Sequence, residues 1–386
     1  MLAALLYFLG GVYQLHQGQP SIVSIIKVAL IPLIFYLSSS QISSPGTDFP
    51  AYLLVWVTFL LWVETFESEK GHPNGRIRLE EIFVFLFSVT LVTIKLSMLT
   101  VVFLAGFIIL KHLRRNSRGA LKLVMLALIL LAPWLTRNLI LSGYWVYPVP
   151  VVASLSPAFD WKIPLSKVVE EARVIQAWAR IPRADAASVL SMPLYDWSRE
   201  WFENLTTNQM ILVAGALLSP ILYFLSVATG LRKKSCLGTY TFTFLVAYAS
   251  VLFWLIEAPD IRFGYGLVVL AILLALAPLV HHLLSQVTFR KAIAYLMISM
   301  LMLYQGSVLY HSIDLDSFAA RVLIPADYDS LSTSPCTIHN YSLFCAEWYN
   351  ICGYDAFPCI PPSSADPQVE LRGQSIRDGF RSIPGE

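Results

Sequence analysis

The acidic residues of this chain are few enough to be weighed one by one. Asp48 is the only one before Glu64, and none occurs from 82 to 159. A carboxylate at a membrane face can deprotonate a hydroxyl or ligate a divalent cation. Asp48 stands in Ser43-Ser44-Pro45-Gly46-Thr47-Asp48-Phe49-Pro50, where the plain alternative is a helix N-cap. Lys95 stands in Thr93-Ile94-Lys95-Leu96-Ser97 with apolar residues on both sides. A charge there either snorkels to the headgroups or pairs with a partner such as a phosphate. Arg137, in Pro133-Trp134-Leu135-Thr136-Arg137-Asn138, offers a guanidinium that binds phosphate bidentately or bonds loop carbonyls. Asn138, Tyr144 and Tyr147 follow close by as candidates for the same outer cavity, and Gly143 suits a helix C-cap. In Glu257-Ala258-Pro259-Asp260-Ile261-Arg262-Phe263-Gly264-Tyr265-Gly266, Asp260 and Arg262 either pair with each other or join Asp48 and Lys95 in that cavity.

The elements that position these residues have to be membrane helices. Of 386 residues, 56% are hydrophobic and only 13% charged, about half the charged share of a globular protein. Mean hydropathy is +0.64. Apolar stretches fall at 21–38, 49–63, 120–141, 208–231, 240–257, 264–284 and 292–310, each near the ~20 residues that a crossing needs. Residues 2–13 are apolar but short, and 82–110 is too long for one helix, so a hairpin turning near Lys95–Met98 or a re-entrant element is expected. The expectation is an all-α integral membrane protein with about ten crossings.

Short basic segments holding Lys70, Arg76 and Arg78, then Lys111 to Lys122, then Arg232 to Lys234, then Arg290 and Lys291 are assigned to the cytoplasm. This puts 142–207, 258–263 and 311–386 on the outer side of the cytoplasmic (inner) membrane, with the C-terminus extracytoplasmic. The N-terminus opens directly into apolar residues, with no basic residue before Lys27, and reads as a helix stump or as the start of a truncated chain. A net charge of +2 gives no bulk attraction to nucleic acid. Neither a P-loop nor a G-x-G-x-x-G occurs.

Residues 1–310 form the polytopic domain and 311–386 a separate outer region. Within the 142–207 loop, Leu165, Val168, Ala172, Ile175 and Ala179 share one helical face, which suits a helix on the outer leaflet or one packed on the protein's own loops. A second short helix is expected through Tyr195–Asn204. The tail has ten acids and four arginines. Its Cys336, Cys345, Cys352 and Cys359 lack C-x-x-C spacing, so two disulfides are expected rather than zinc, in any of three connectivities. Cys236 reads as a free thiol, and the histidines show no metal-ligand spacing.

The order of a lysine-serine hairpin, P-W-x-x-R-N, G-Y-x-x-Y-P and A-P-D-x-R-F resembles GT-C-type glycosyltransferases, which use polyprenyl-phosphate sugars. More narrowly it resembles a family of bacterial polytopic membrane proteins related to that group, in which the S-S-P-x-x-D-F-P loop, an Asp160-Trp161-Lys162 segment and a cysteine-bearing tail recur. The resemblance implies sugar transfer from a polyprenyl-phosphate donor to an envelope glycan or lipid. Asp48 would be the base, with Lys95 and Arg137 on the donor phosphate. No cofactor is called for, and a divalent cation is left as an open option. GT-C enzymes place their catalytic acid in the first outer loop, and here no acid precedes Asp48. The alternatives are a non-enzymatic polysaccharide export or scaffold protein, and an N-terminally truncated inactive homologue.

Overall fold

The computed structural model describes residues 2–18, 21–41, 46–67, 77–230, 234–286, 331–338, 341–347, 369–373 and 375–382, with isolated positions between 299 and 360. The chain divides into two units, Met1–Trp134 with Arg173–Ile313, and Leu135–Ala172 with Asp314–Glu386.

The first unit is a helical core built around α3 (Asp48–Glu67). This helix is apolar on every side, as a helix buried among others must be. Tyr52, Trp56, Phe59 and Trp62 are all buried along it. Against it pack α1 (Leu2–His16), α2 (Ile22–Gln41), α4 (Leu79–Ile94), α11 (Lys234–Glu257) and α12 (Ile261–Gln286), while α10 (Thr207–Gly230) packs chiefly on α12.

The long apolar stretch around Lys95 is a hairpin. α4 stops because Lys95 takes an extended backbone, φ −154° and ψ 121°. A 3-10 turn over Leu96–Val101 then leads into α5 (Val102–Arg115). The two arms run antiparallel, since Lys111 near the end of α5 reaches Glu81 near the start of α4 at 2.8 Å.

Among the described residues, six helices are long and apolar enough to cross a membrane: 48–66, 96–115, 117–142, 207–228, 238–257 and 261–284. The chain is therefore a multi-pass membrane protein. The expected total of about ten is not reached here. The 15-residue α1 and 16-residue α4 rise only ~23 Å, short of the ~30 Å hydrocarbon core. The stretch expected at 292–310 lies almost wholly outside the described residues.

α6 (Ser117–Ser142) runs from the first unit into the second, and α7 (Leu165–Arg180) returns. α7 occupies the expected amphipathic segment, but its buried side chains are Val168, Ala177 and Ala179, whereas Leu165 and Ile175 are exposed. Two of the three buried residues, Val168 and Ala179, lie on the expected face, and Ala177 lies on the opposite side of the helix. α8 (Ala186–Ser191) is N-capped by Asp185, whose carboxylate accepts the Ser188 N–H at 2.9 Å. α9 (Leu194–Glu203) is the expected second short helix.

In the second unit, Gly143 ends α6 with φ +79°, a left-handed conformation that favours glycine, and donates its N–H to Leu139 O at 2.8 Å. Tyr144, Ala153 and Val168 form a small core. Asp160 takes two hydrogen bonds from Arg372 at 2.9 and 2.6 Å, and the Arg372 guanidinium lies 5.3 Å from the Trp161 ring centre.

The all-α expectation is corrected in the tail. β1 (Thr333–Ile338) pairs antiparallel with β2 (Tyr341–Ala346), which pairs parallel with β3 (Cys359–Ile360). β4 (Val369–Leu371) pairs with β5 (Phe380–Ser382). The β1–β2 register sets Cys345 opposite Ser334, two residues from Cys336, and these cysteines bond across the hairpin. Cys352 bonds Cys359. Of the three connectivities open in the sequence, the structure selects the one joining neighbours. A maleimide applied to unfolded, unreduced protein is expected to label one of the five cysteines, namely Cys236, and all five after reduction. Labelling of more than one cysteine before reduction would count against the paired tail.

Candidate functional site

Three pieces of chain meet at the Asp48 end of α3. Asp48 opens α3, Lys95 follows α4, and the turn between α11 and α12 brings Asp260 and Arg262. The Lys95 ammonium bonds the Asp48 carboxylate and, at 2.9 Å, the carbonyl of Arg262. The carboxylate that the sequence offered as a helix cap is thus engaged by Lys95. Asp260 receives Arg262 Nε at 2.9 Å and the Arg262 N–H at 3.0 Å.

The surrounding side chains fix this turn by its backbone. The Tyr52 hydroxyl donates to Arg262 O, Ser97 Oγ to Phe263 O at 3.0 Å and Trp56 Nε1 to Gly266 O at 2.8 Å. Trp254 Nε1 donates to Asp260 O at 2.7 Å, and Trp201 Nε1 to Pro259 O at 2.8 Å. Lys95 and Arg262 both lie near the Phe263 ring, at 4.6 and 4.9 Å. Buried carbonyls need donors, and here Tyr52, Trp56, Trp201 and Trp254 supply most of them, with Ser97 and Lys95. Tyr52 and Trp56 lie one helical turn apart on α3, and this spacing was the signal that sequence reasoning passed over.

The cluster is electrically balanced, with two carboxylates against two cations. Its parts differ in access. The Lys95 side chain is 11% exposed, that of Arg262 55%. Arg262 is therefore the group a solute meets first, and Lys95 the one held behind it.

The structure thus brings together Asp48, Lys95, Asp260 and Arg262. The other candidates fall in the second unit. Arg137 is exposed on α6, and no hydrogen bond or ion pair is described for it. Asn138 Nδ2 contacts Trp145 O at 3.4 Å. Tyr144 is buried and donates to Ile163 O at 2.7 Å, so its hydroxyl serves the loop. Burial, with the negative charge of Glu171 adding to it, pushes the Tyr147 phenol up and keeps it protonated. Among the described residues no three His, Cys, Asp or Glu side chains gather to hold a metal ion.

Sequence reasoning also missed two buried polar clusters at the other end of α3. Glu64 accepts from Lys27 at 2.6 Å and from the Tyr7 hydroxyl at 2.9 Å. Glu81, 1% exposed, is met by Lys111 at 2.8 Å, His112 Nε2 at 3.0 Å and Arg78 at 3.6 Å. The available signal was a lysine inside the apolar run of α2, and a helix that continues past Glu64.

Residues 1–269 match the family described as Domain of unknown function (DUF8201). The chain belongs to the DUF8201 family. The matched stretch contains Asp48, Lys95, Asp260 and Arg262 and ends within α12. No curated protein and no solved structure matches the chain. A GT-C relationship has no support in these comparisons. Membership in the DUF8201 family carries no activity with it, so function has to be argued from the cluster itself.

Proposed function

We propose that the chain is a glycosyltransferase-like membrane protein that moves a sugar from a polyprenyl-phosphate donor to an envelope glycan or lipid. The observation that carries this reading is the Asp48–Lys95 pair beside the exposed Arg262. A phosphate reaching Arg262 and Lys95 competes with the carboxylates for both cations. Drawing Lys95 away leaves Asp48 without its partner and able to accept a proton. The acceptor hydroxyl then gives its proton to Asp48 as its oxygen forms the new bond to the anomeric carbon. The carbon–oxygen bond to the donor phosphate breaks, the electron pair stays on the phosphate, and the lysine and arginine stabilise that charge. Arg137, proposed from the sequence as a phosphate contact, is tested separately.

A second reading is favoured by the same charge balance. Asp48 and Asp260 are each already paired, and the turn they hold is bonded through its backbone. Four charges that neutralise one another are also what a structural clamp in an export or scaffold protein needs.

Binding and turnover of a polyprenyl-phosphate sugar, followed in the same micellar samples, separate the two. On the enzyme reading the wild type binds and turns over. Lys95→Ala and Arg262→Ala each weaken binding about tenfold or more, and Asp48→Ala binds while turnover falls by roughly a hundredfold to ten-thousandfold. Arg137→Ala weakens binding if it contacts the phosphate and leaves it unchanged otherwise. A wild type that binds nothing, with Asp48→Ala and Lys95→Ala lowering only the melting temperature, rejects the enzyme in favour of the clamp.

A further inference from the structure

The loop that leaves α6 is more apolar than a water-facing loop has reason to be. The crossing segment ends at Ser142, yet no charged residue occurs between Arg137 and Asp160. Within this stretch a 3-10 turn runs over Pro150–Leu155. Its Val151 is 89% exposed and its Leu155 73%. A single exposed apolar side chain needs no explanation. Here two share one short turn, and in the same unit the end of α6 exposes Ile140 and Leu141 as well.

Hydrogen bonds tie this turn to the end of the crossing helix. The chain doubles back at Gly143: Asn138 Nδ2, about one turn inside α6, contacts Trp145 O at 3.4 Å, and Ser142 O accepts the Ile163 N–H at 3.1 Å. Trp145 in turn holds the far end of the 3-10 turn. Its N–H donates to Ser156 Oγ at 3.1 Å and its Nε1 to Leu155 O at 3.2 Å. Ala153 is the inward side chain of the turn, packed with Tyr144 and Val168, which leaves Val151 and Leu155 facing outward. The backbone suits a poorly hydrated place. Pro148, Pro150 and Pro157 have no N–H to satisfy. The N–H groups of Val149, Val152 and Ser156 are bonded to Val146 O, Val149 O and Ala153 O at 3.3, 3.4 and 3.2 Å. A peptide partner that adds a strand needs free backbone groups, whereas acyl chains need only an apolar surface. Trp145 and Tyr147, of the residue types found at the boundary of water and lipid, stand half-buried beside the turn.

We propose that Val151 and Leu155 seat the Pro150–Leu155 turn in the bilayer surface beside the Ser142 end of α6, with phospholipid as the partner. Irregular backbone does not enter the hydrocarbon itself when it faces lipid. The seat is therefore shallow: the two side chains reach the upper acyl carbons while the backbone stays among the headgroups. The inference stands apart from the sugar-transfer reading, so either can fail alone.

The test uses the full chain in phosphatidylcholine nanodiscs. Cys236→Ser removes the fifth cysteine and the four in the tail are bonded in pairs, so one introduced thiol can carry an environment-sensitive fluorophore. Val151→Cys and Leu155→Cys carry it in turn, and Leu141→Cys on α6 is the lipid reference. Three quenchers are compared: phosphatidylcholine with a doxyl group high on its acyl chain, the same lipid with the doxyl group near the chain end, and iodide in the water. Both tip probes are expected to emit to the blue of the free dye, to lose more intensity to the high doxyl than to the low one, and to lose less to iodide than the free dye does. Leu155→Asp, with the probe at position 151, should reverse the blue shift and open the probe to iodide, because a carboxylate is costly away from water. Should one labelled variant fail to fold, the other carries the comparison. The proposal is overturned if the tip probes are open to iodide and spared by both doxyl lipids, which leaves the turn in water. Probes shifted to the blue yet spared by all three quenchers overturn it too, since a protein surface then covers the turn. Stronger quenching by the low doxyl, or no effect of Leu155→Asp, likewise rejects a shallow seat held by these side chains.

Discussion

Replacing Lys27 with alanine is expected to destabilise the first unit by about 3 kcal/mol. Lys27 is 4% exposed, and its ammonium bonds Glu64 at 2.6 Å while lying 3.7 Å from the centre of the Tyr7 ring. The pair joins α2 to α3, and the Tyr7 hydroxyl on Glu64 adds α1. Gly11 lets the helices come this close, since a Cβ there would lie 2.6 Å from Lys27 Cβ. Alanine leaves the half-buried Glu64 carboxylate with the Tyr7 hydroxyl as its described partner, and much of the cost is that poorly paired charge rather than the lost attraction. Removing both charges should therefore cost less than removing one. The measurement is a double-mutant cycle in micelles with Lys27→Met, Glu64→Gln and the pair together. A coupling of about 1 kcal/mol or more is expected. Agreement with simple additivity within about 0.5 kcal/mol would show that the two residues do not act together.

That pair also marks where the sequence stops being readable. Asp48, Lys95, Asp260 and Arg262 stand out because acids are scarce and apolar neighbours make a charge conspicuous. Their clustering then depends on which helices adjoin, and a sequence does not carry that. Glu64, Glu81 and Lys111 escaped because they sit beside basic loops and read as solvated ends. α3 in fact continues to Glu67, and Lys111 turns inward to Glu81. Periodicity located α7 and α9 and put Val168 and Ala179 on a buried face, but missed Ala177 across the helix, because two different cores draw on one helix. The cysteine pairing was open because spacing alone permits three answers; the β1–β2 register that decides the first pair forms only on folding. Arg137 remains the candidate least altered by the structure, exposed and on a helix of which little is buried.

Gly264→Ala is expected to be the most damaging single methyl in the first unit. A Cβ at this position would fall within 2.6 Å of Trp254 Cε2 and Cγ, below any normal contact. Overpacking of this kind costs about 1–3 kcal/mol when neighbours cannot yield. Trp254 cannot yield easily: its Nε1 is bonded to Asp260 O at 2.7 Å, its ring is buried, and Trp201 packs edge-on at 6.2 Å. The methyl therefore has to displace either the indole or the turn, and both movements reach Asp260 and Arg262. Shrinking the indole should restore the fit, so Trp254→Leu together with Gly264→Ala should be more stable than the sum of the single changes. The double variant still lacks the indole N–H that holds Asp260 O. If the turn positions Arg262 for an anionic donor, packing recovers in the double variant while donor binding stays weak. If both recover together, the turn matters only as packing, and Arg262 has no need of a fixed position.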